Sequence, residues 1–128
     1  MGPVVALDTN ALMMPVECDV RVFEELDRLF GSVEVLTTRS AIRELERLAE
    51  GGGTEAVAAS VGLDLARERC QVVEDDEQYA DDVLLGLARE GDAEYVVTND
   101  GPLRTRLLRA GVPVIALRGR NELAITQP

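Results

Sequence analysis

The chain has 128 residues, 46% of them apolar, the size of one ordinary domain with material for a single continuous core. Its 24 acids stand against 13 bases, every base is arginine, and the formal net charge is −11. The absence of histidine and lysine excludes an imidazole base, a histidine-ligated zinc and a lysine-dependent phosphate loop.

In chain order, Met1-Gly2-Pro3 leads straight into the apolar run Val4 to Leu7, with no basic leader ahead of it, so an unexported cytoplasmic protein is expected. That run reads as a strand and stops at Asp8-Thr9-Asn10, where Thr9 and Asn10 can cap the following segment or orient Asp8. Val22, Phe23, Leu26, Leu29 and Phe30 have helical spacing, and Val33 to Leu36 reads as a strand. Ile42, Leu45, Leu48 and Ala49 mark a helix beginning near Ser40. Gly51-Gly52-Gly53 reads as a hinge to the next helix, around Val61 and Leu65. A strand at Gln71 to Val73 runs into Glu74-Asp75-Asp76-Glu77, read as a solvated loop. Asp81 and Asp82 then open a helix through Val83, Leu84, Leu87 and Ala88. Tyr95 to Thr98 is a strand ending in Thr98-Asn99-Asp100, Leu103, Leu107 and Leu108 mark the last helix, and Val112 to Leu117 the last strand. Gly91 and Gly111 stand where helices terminate. The order βαβααβαβαβ predicts an α/β fold with a central parallel sheet of four to five strands covered on both faces. That is a three-layer α/β/α sandwich in a single domain over residues 1–128.

No stretch approaches the roughly 20 apolar residues of a membrane span. Cys18 and Cys70, 52 positions apart and without a CxxC pair, read as reduced thiols rather than a disulfide or metal pair. An acidic, lysine-free surface suits a medium of high ionic strength and points to a halophilic source, although a GC-rich genome gives the same bias toward arginine. Aromatics are scarce, so no platform for stacking bases is expected. Residues 1–100 carry 23 acids and 8 arginines, net −15, whereas residues 101–128 carry 5 arginines and Glu122, net +4. Arg104, Arg106 and Arg109 on the last helix thus form either a phosphate grip or a solvated face near the helix's C-terminal dipole.

The chemistry concentrates in the acids that follow strands. In an open parallel sheet the carboxyl ends of the strands line one crevice, which can bring Asp8 and Asp100 together although 92 positions separate them. A helix starting beside a strand end brings its first turn to the same crevice, so Asp81 and Asp82 can join them. Taken alone, Asp81 and Asp82 read as capping or dipole residues, and Glu44, amid Arg43, Glu46 and Arg47, as a solvated helix acid. Together they would repel one another unless a divalent cation held them.

Asp8-Thr9-Asn10 after a first strand, Arg43-Glu44-Leu45, Asp81-Asp82 before an apolar helix and Val97-Thr98-Asn99-Asp100 before another resemble the four acidic motifs of PIN domains, in the same order and across essentially the whole chain. Tyr79-Ala80-Asp81-Asp82 and the segment from Val97 through Ile115 look most like the archaeal and eukaryotic branch that processes small-subunit ribosomal RNA. The toxin branch of toxin–antitoxin pairs is the nearest alternative. The resemblance implies a metal-dependent endoribonuclease using Mg²⁺ or Mn²⁺. Its metal ligands would be Asp8, Glu44, Asp82 and Asp100, with Asp81 the alternative to Asp82, and Thr9, Asn10, Thr98 and Asn99 would orient them. Implied partners are an RNA substrate, a second copy of the chain, and either ribosome-assembly factors or an antitoxin; a catalytically weak binding module in ribosome assembly is the rival role. Receiver domains need a lysine that is absent here, and haloacid-dehalogenase-type phosphatases need a second aspartate where this chain has Asn10.

Overall fold

The computed structural model describes residues 2–76 and 79–128. Its elements are β1 (Val4–Leu7), α1 (Thr9–Glu17), α2 (Val22–Phe30), β2 (Glu34–Thr38), α3 (Arg39–Ala49) and α4 (Gly53–Arg69). They continue with β3 (Gln71–Val73), α5 (Ala80–Arg89), β4 (Tyr95–Val97), α6 (Gly101–Arg109), β5 (Val114–Arg118) and β6 (Glu122–Thr126). The strands form one sheet in the order β3-β2-β1-β4-β5-β6, parallel throughout except for the antiparallel pair β5 and β6.

Because side chains alternate across a strand, each central strand feeds two cores. Val5 and Leu7 of β1, Val97 of β4 and Ile115 of β5 pack with α1 to α4 through Leu12, Met14, Leu26, Leu45 and Leu63. Ala6, Val96, Val114 and Ala116 face the other way, against Leu84 and Ala88 of α5 and Leu103 and Leu107 of α6. Buried on both faces, these strands read as continuous apolar runs, as parallel strands do. The result is the expected α/β/α sandwich, with α1 to α4 on one side of the sheet and α5 and α6 on the other.

Two elements depart from the sequence expectation. The first is α1, whose Ala11, Leu12, Met13 and Met14 are all buried and which carries Pro15 inside it. A helix enclosed on every side shows no 3.6-residue stripe, so periodicity does not report it. The second is β6, which raises the strand count to six and makes the sheet mixed. It is an edge strand that returns along β5 through a three-residue turn, with Arg118 paired to Glu122. Neither Thr9 nor Asn10 caps α1; Asp8 does so itself, accepting from the Ala11 N–H at 2.6 Å.

Close approach of α4 to α1 depends on Gly62, where a Cβ would stand 2.5 Å from the Leu12 carbonyl oxygen. The break between α3 and α4 falls in the glycine run, with Gly52 at the N-cap of α4. Gly91 and Gly111 end α5 and α6 with φ of +85° and +83°, the left-handed turn that glycine takes without strain. No helix among the described residues is long and apolar enough to cross a membrane.

Candidate metal centre

From β1 the chain builds outward through β2 to β3, then returns to lay β4 against the opposite edge of β1. Between β1 and β4 the order reverses, and at such a switch point the two connections leave a crevice at the strands' carboxyl ends. Leu7 pairs with Val97 in that register, so Asp8 and Thr98 are the first residues of each strand to leave the sheet.

Both connections are tied down by hydrogen bonds. The buried Thr98 hydroxyl accepts from the Asp100 N–H at 3.0 Å and bonds to the Asp8 carboxylate, bridging the two junctions. The Asn10 Oδ1 accepts from the Asn99 N–H at 2.9 Å, and the Asn99 Oδ1 from the Leu117 N–H at 2.8 Å, which locks both polar triplets onto β5. Asp8 caps α1 and Asp100 caps α6, its Oδ2 accepting from the Leu103 N–H at 2.9 Å. The capping and crevice readings of these aspartates therefore coexist, since each caps its helix through one oxygen and also lines the cavity.

Glu44 arrives from β2. Thr38 ends that strand and caps α3, accepting from the Ala41 N–H at 3.1 Å, while Asp75 accepts from the Ser40 N–H at 2.9 Å and bonds to the Ser40 hydroxyl and Arg43. Glu74 pairs with Arg39 at 2.7 Å. The expected solvated loop at 74–77 is thus corrected for Asp75, whose side chain is 8% exposed and anchors the first turn of α3; Glu74, though paired with Arg39, and Asp76 are exposed, and Glu77 lies outside the described residues.

Asp8, Thr9, Asn10, Glu44, Ala80, Asp81 and Asp100 line one cavity of about 270 Å³. Asp82 is not on this wall. It is exposed and paired with Arg106 at 2.8 Å, lining with Glu44, Tyr79, Ala80, Asp81 and Arg106 a larger adjoining cleft of about 510 Å³. Adjacent residues on a helix point about 100° apart, and the direction of α5 presents Asp81 to the smaller cavity. Of the three arginines, Arg106 is in this pair, Arg109 is exposed, and Arg104 is half-buried with its Nε enclosed and without a hydrogen-bond partner.

Burial pushes the Asp8 carboxyl up to about 7, the negative charges of Asp81 and Asp100 push the same way, and the bonds from Thr98 and Ala11 offset part of the rise. Asp81 is also raised, first by burial, then by Asp100, against the attraction of Arg106, with Glu44 and Asp82 adding to the rise. Among the described residues no three acidic or cysteine side chains form a ready-made ion cage. The donor set nevertheless fits a hard divalent cation: oxygens only, no sulfur or imidazole, and mutual repulsion that a positive charge would relieve.

Tyr79, which the sequence places in Tyr79-Ala80-Asp81-Asp82 without a role of its own, is 65% exposed on the wall of the larger cleft. The signal available for it was its place just ahead of Asp81-Asp82, with Ala80 between, which a composition argument does not weigh.

A doubly covered α/β sheet with acids from four elements at its switch point is the architecture of a nuclease domain of the PIN class. A family model described as "PIN like domain" matches residues 5–120, and the chain belongs to that family. It is 30% identical over 123 residues to Ribonuclease VapC4 of Methanocaldococcus jannaschii, an alignment that takes in 92% of each chain. Among solved structures, the PIN domain endonuclease Utp24 superposes with a TM-score of 0.79 at 21% identity, over 98% of this chain and 92% of its own. VapBC2 from Rickettsia felis, bound to a DNA fragment from its promoter, superposes with a TM-score of 0.64 at 12% identity, over 90% and 99%. At those identities the two structures speak for the fold alone.

Proposed function

We propose that this protein is a divalent-metal-dependent endoribonuclease acting in the cytoplasm, with Asp8, Glu44, Asp81 and Asp100 as the ligands of Mg²⁺ or Mn²⁺. The observation that carries this reading is that carboxylates from four separate elements line one cavity of about 270 Å³. Asp81 takes the role over Asp82 because Asp81 lines the cavity with Asp8, Glu44 and Asp100, whereas Asp82 lines only the adjoining cleft. The chemistry supplied by such an ion when bound is activation of a water for attack on the phosphodiester and relief of charge on the departing oxygen. Neither a nucleophilic side chain nor an imidazole base is then needed, and the chain has no histidine.

The residues divide the work. Thr98 fixes the separation of Asp8 and Asp100, Asn10 and Asn99 hold their two connections to β5, and Thr38 with Asp75 sets the first turn of α3 and so the position of Glu44. Arg104, Arg106 and Arg109 supply positive charge to the RNA backbone. RNA is the assigned substrate because the relative aligned over nearly the whole chain is a ribonuclease. RNA maturation is the role we assign. A small overlapping reading frame upstream would reassign it to a toxin paired with an antitoxin, and size-exclusion chromatography with light scattering tests for a homodimer.

Incubation of the full chain with an oligoribonucleotide and Mg²⁺ or Mn²⁺ should give cleavage that a chelator abolishes. Asp8→Asn and Asp81→Asn should each lower the rate on the order of 10³-fold, from several kcal/mol of lost charge stabilisation. Asp82→Asn, the loss of an exposed ion pair, should stay within about fivefold. Cleavage that survives Asp8→Asn would sink the proposal; a loss at Asp82 in place of Asp81 would move the ligand.

A further inference from the structure

The larger cleft holds two groups that the metal site does not use. Tyr79 keeps its ring in water, and among the described residues Val57 is the only other large apolar side chain so exposed. The fold asks little of that ring: what Tyr79 gives α5 is its backbone carbonyl, which accepts from the Asp82 and Val83 N–H groups, a service any residue performs. Arg106 is bound to Asp82, yet the two side chains are 46% and 52% exposed, and an ion pair so wet exchanges readily for another anion.

We infer that this cleft is a nucleobase subsite, in which one unpaired base of the RNA stacks on the Tyr79 ring while Arg106 takes the adjoining backbone phosphate. The inference rests on the RNA-cleaving reading above and adds to it where the substrate is gripped. Charge decides which part of the nucleotide enters. Glu44, Asp81 and Asp82 on the wall repel a phosphate but accept hydrogen bonds from the amino groups of a base. The neutral base therefore faces that wall and the phosphate stays at its one cation. The volume, about 510 Å³, lies within the roughly 300–1,000 Å³ of small-ligand sites. The cleft shares Glu44, Ala80 and Asp81 with the carboxylate cavity, so the gripped nucleotide is a neighbour of the bond to be cut. Stacking on one ring requires a base free of its pairing partner, and duplex RNA hides its base faces.

The test is steady-state cleavage of a single-stranded oligoribonucleotide by the full chain with Mn²⁺. Tyr79→Ala should lower kcat/KM by roughly 5- to 150-fold, the cost of losing one base–aromatic stack, while Tyr79→Phe, which keeps the ring, should stay within about twofold. Replacing single nucleotides near the cut by abasic riboses should find one position where the wild type loses the same factor and Tyr79→Ala loses nothing further. Equal losses in Phe and Ala variants, or abasic and Ala effects that multiply at every position, would overturn the subsite. Unchanged kcat/KM in Tyr79→Ala would do the same and leave the nuclease reading standing, whereas a wild type that cuts no RNA would overturn both.

Discussion

The two junctions that frame the site, β1 to α1 and β4 to α6, use the same local device with opposite consequences. Each is an apolar strand, a polar triplet and an aspartate capping the next helix. Asp8, however, is 5% exposed and caps a helix whose inner residues are buried all round, whereas Asp100 is exposed and caps a helix that turns three arginines outward or to its flank. The same capping role thus falls to a buried aspartate on one side of the switch point and to an exposed one on the other. Burial, rather than residue type, is what raises the Asp8 carboxyl to about 7.

The widest gap between the junctions is expected in the pH dependence of stability without metal. Asp8 titrates near 7 in the folded chain and near 3.8 when unfolded, a difference worth on the order of 4 kcal/mol. Below pH about 4 its carboxyl is protonated in both states and no penalty exists. As pH rises from there to about 7 the unfolded chain ionises first, so stability falls, and above about 7 the penalty is complete. Asp8→Asn keeps the capping oxygen and should raise the urea midpoint at pH 8 but not at pH 4. Asp100→Asn, exposed and still a good cap, should shift stability by less than about 1 kcal/mol at either pH. Subtracting each variant from the wild type removes the opposite slopes of Glu25 and Glu74, whose carboxyls Arg28 and Arg39 hold below the usual range. Saturating Mg²⁺ or Mn²⁺ should restore the wild type at pH 8, by about 2.7 kcal/mol at a hundred times Kd. A slope that persists in Asp8→Asn would show that burial of this carboxyl is not what separates the junctions.

Thr98→Val asks whether the junctions act as one unit. Valine matches threonine in shape but leaves the Asp100 N–H without its acceptor and Asp8 without a hydroxyl partner. The expected cost is about 1–3 kcal/mol of stability. Mn²⁺ affinity, read by calorimetry, should fall roughly 10- to 100-fold, as when a ligand loses its orienting partner. A stability loss with unaltered affinity would mean that the bridge serves the fold alone.

What the sequence discloses of this arrangement follows from the length scale of each feature. Strands ending at Asp8 and Asp100 are legible because apolar runs and polar triplets are local, and the rule about strand ends carries them into one crevice. Thr98 as the bridge between them depends on the pairing of Leu7 with Val97, a register no local pattern states. The choice between Asp81 and Asp82 turns on the rotation of α5 about its own axis, which is set by its packing through Leu84 and Ala88. Glu74 and Asp75 look like any acidic loop until Arg39, Ser40 and Arg43 are brought against them from 32 to 35 positions away. α1 stays hidden because burial of the four consecutive residues Ala11 to Met14 erases periodicity, whereas β6 carries the short apolar run Leu123-Ala124-Ile125, and its antiparallel pairing with β5 is again a register no local pattern states.

The smallest effect separates the helices the two aspartates cap. α1 has no basic residue in its last turn and α6 has Arg106 and Arg109 there, so backbone contacts with RNA are expected on the Asp100 side only. For a single strand, log binding constant falls with log salt by about 0.7 per phosphate neutralised. Arg104→Ala and Arg106→Ala should each flatten that slope by about this amount while weakening binding evenly across sequences. Arg106→Ala also frees Asp82 to repel the strand, so its affinity loss should exceed that of Arg104→Ala at low salt and converge with it as screening grows. A slope unchanged in both variants would return α6 to an ordinary solvated face and leave the two junctions distinguished by burial alone.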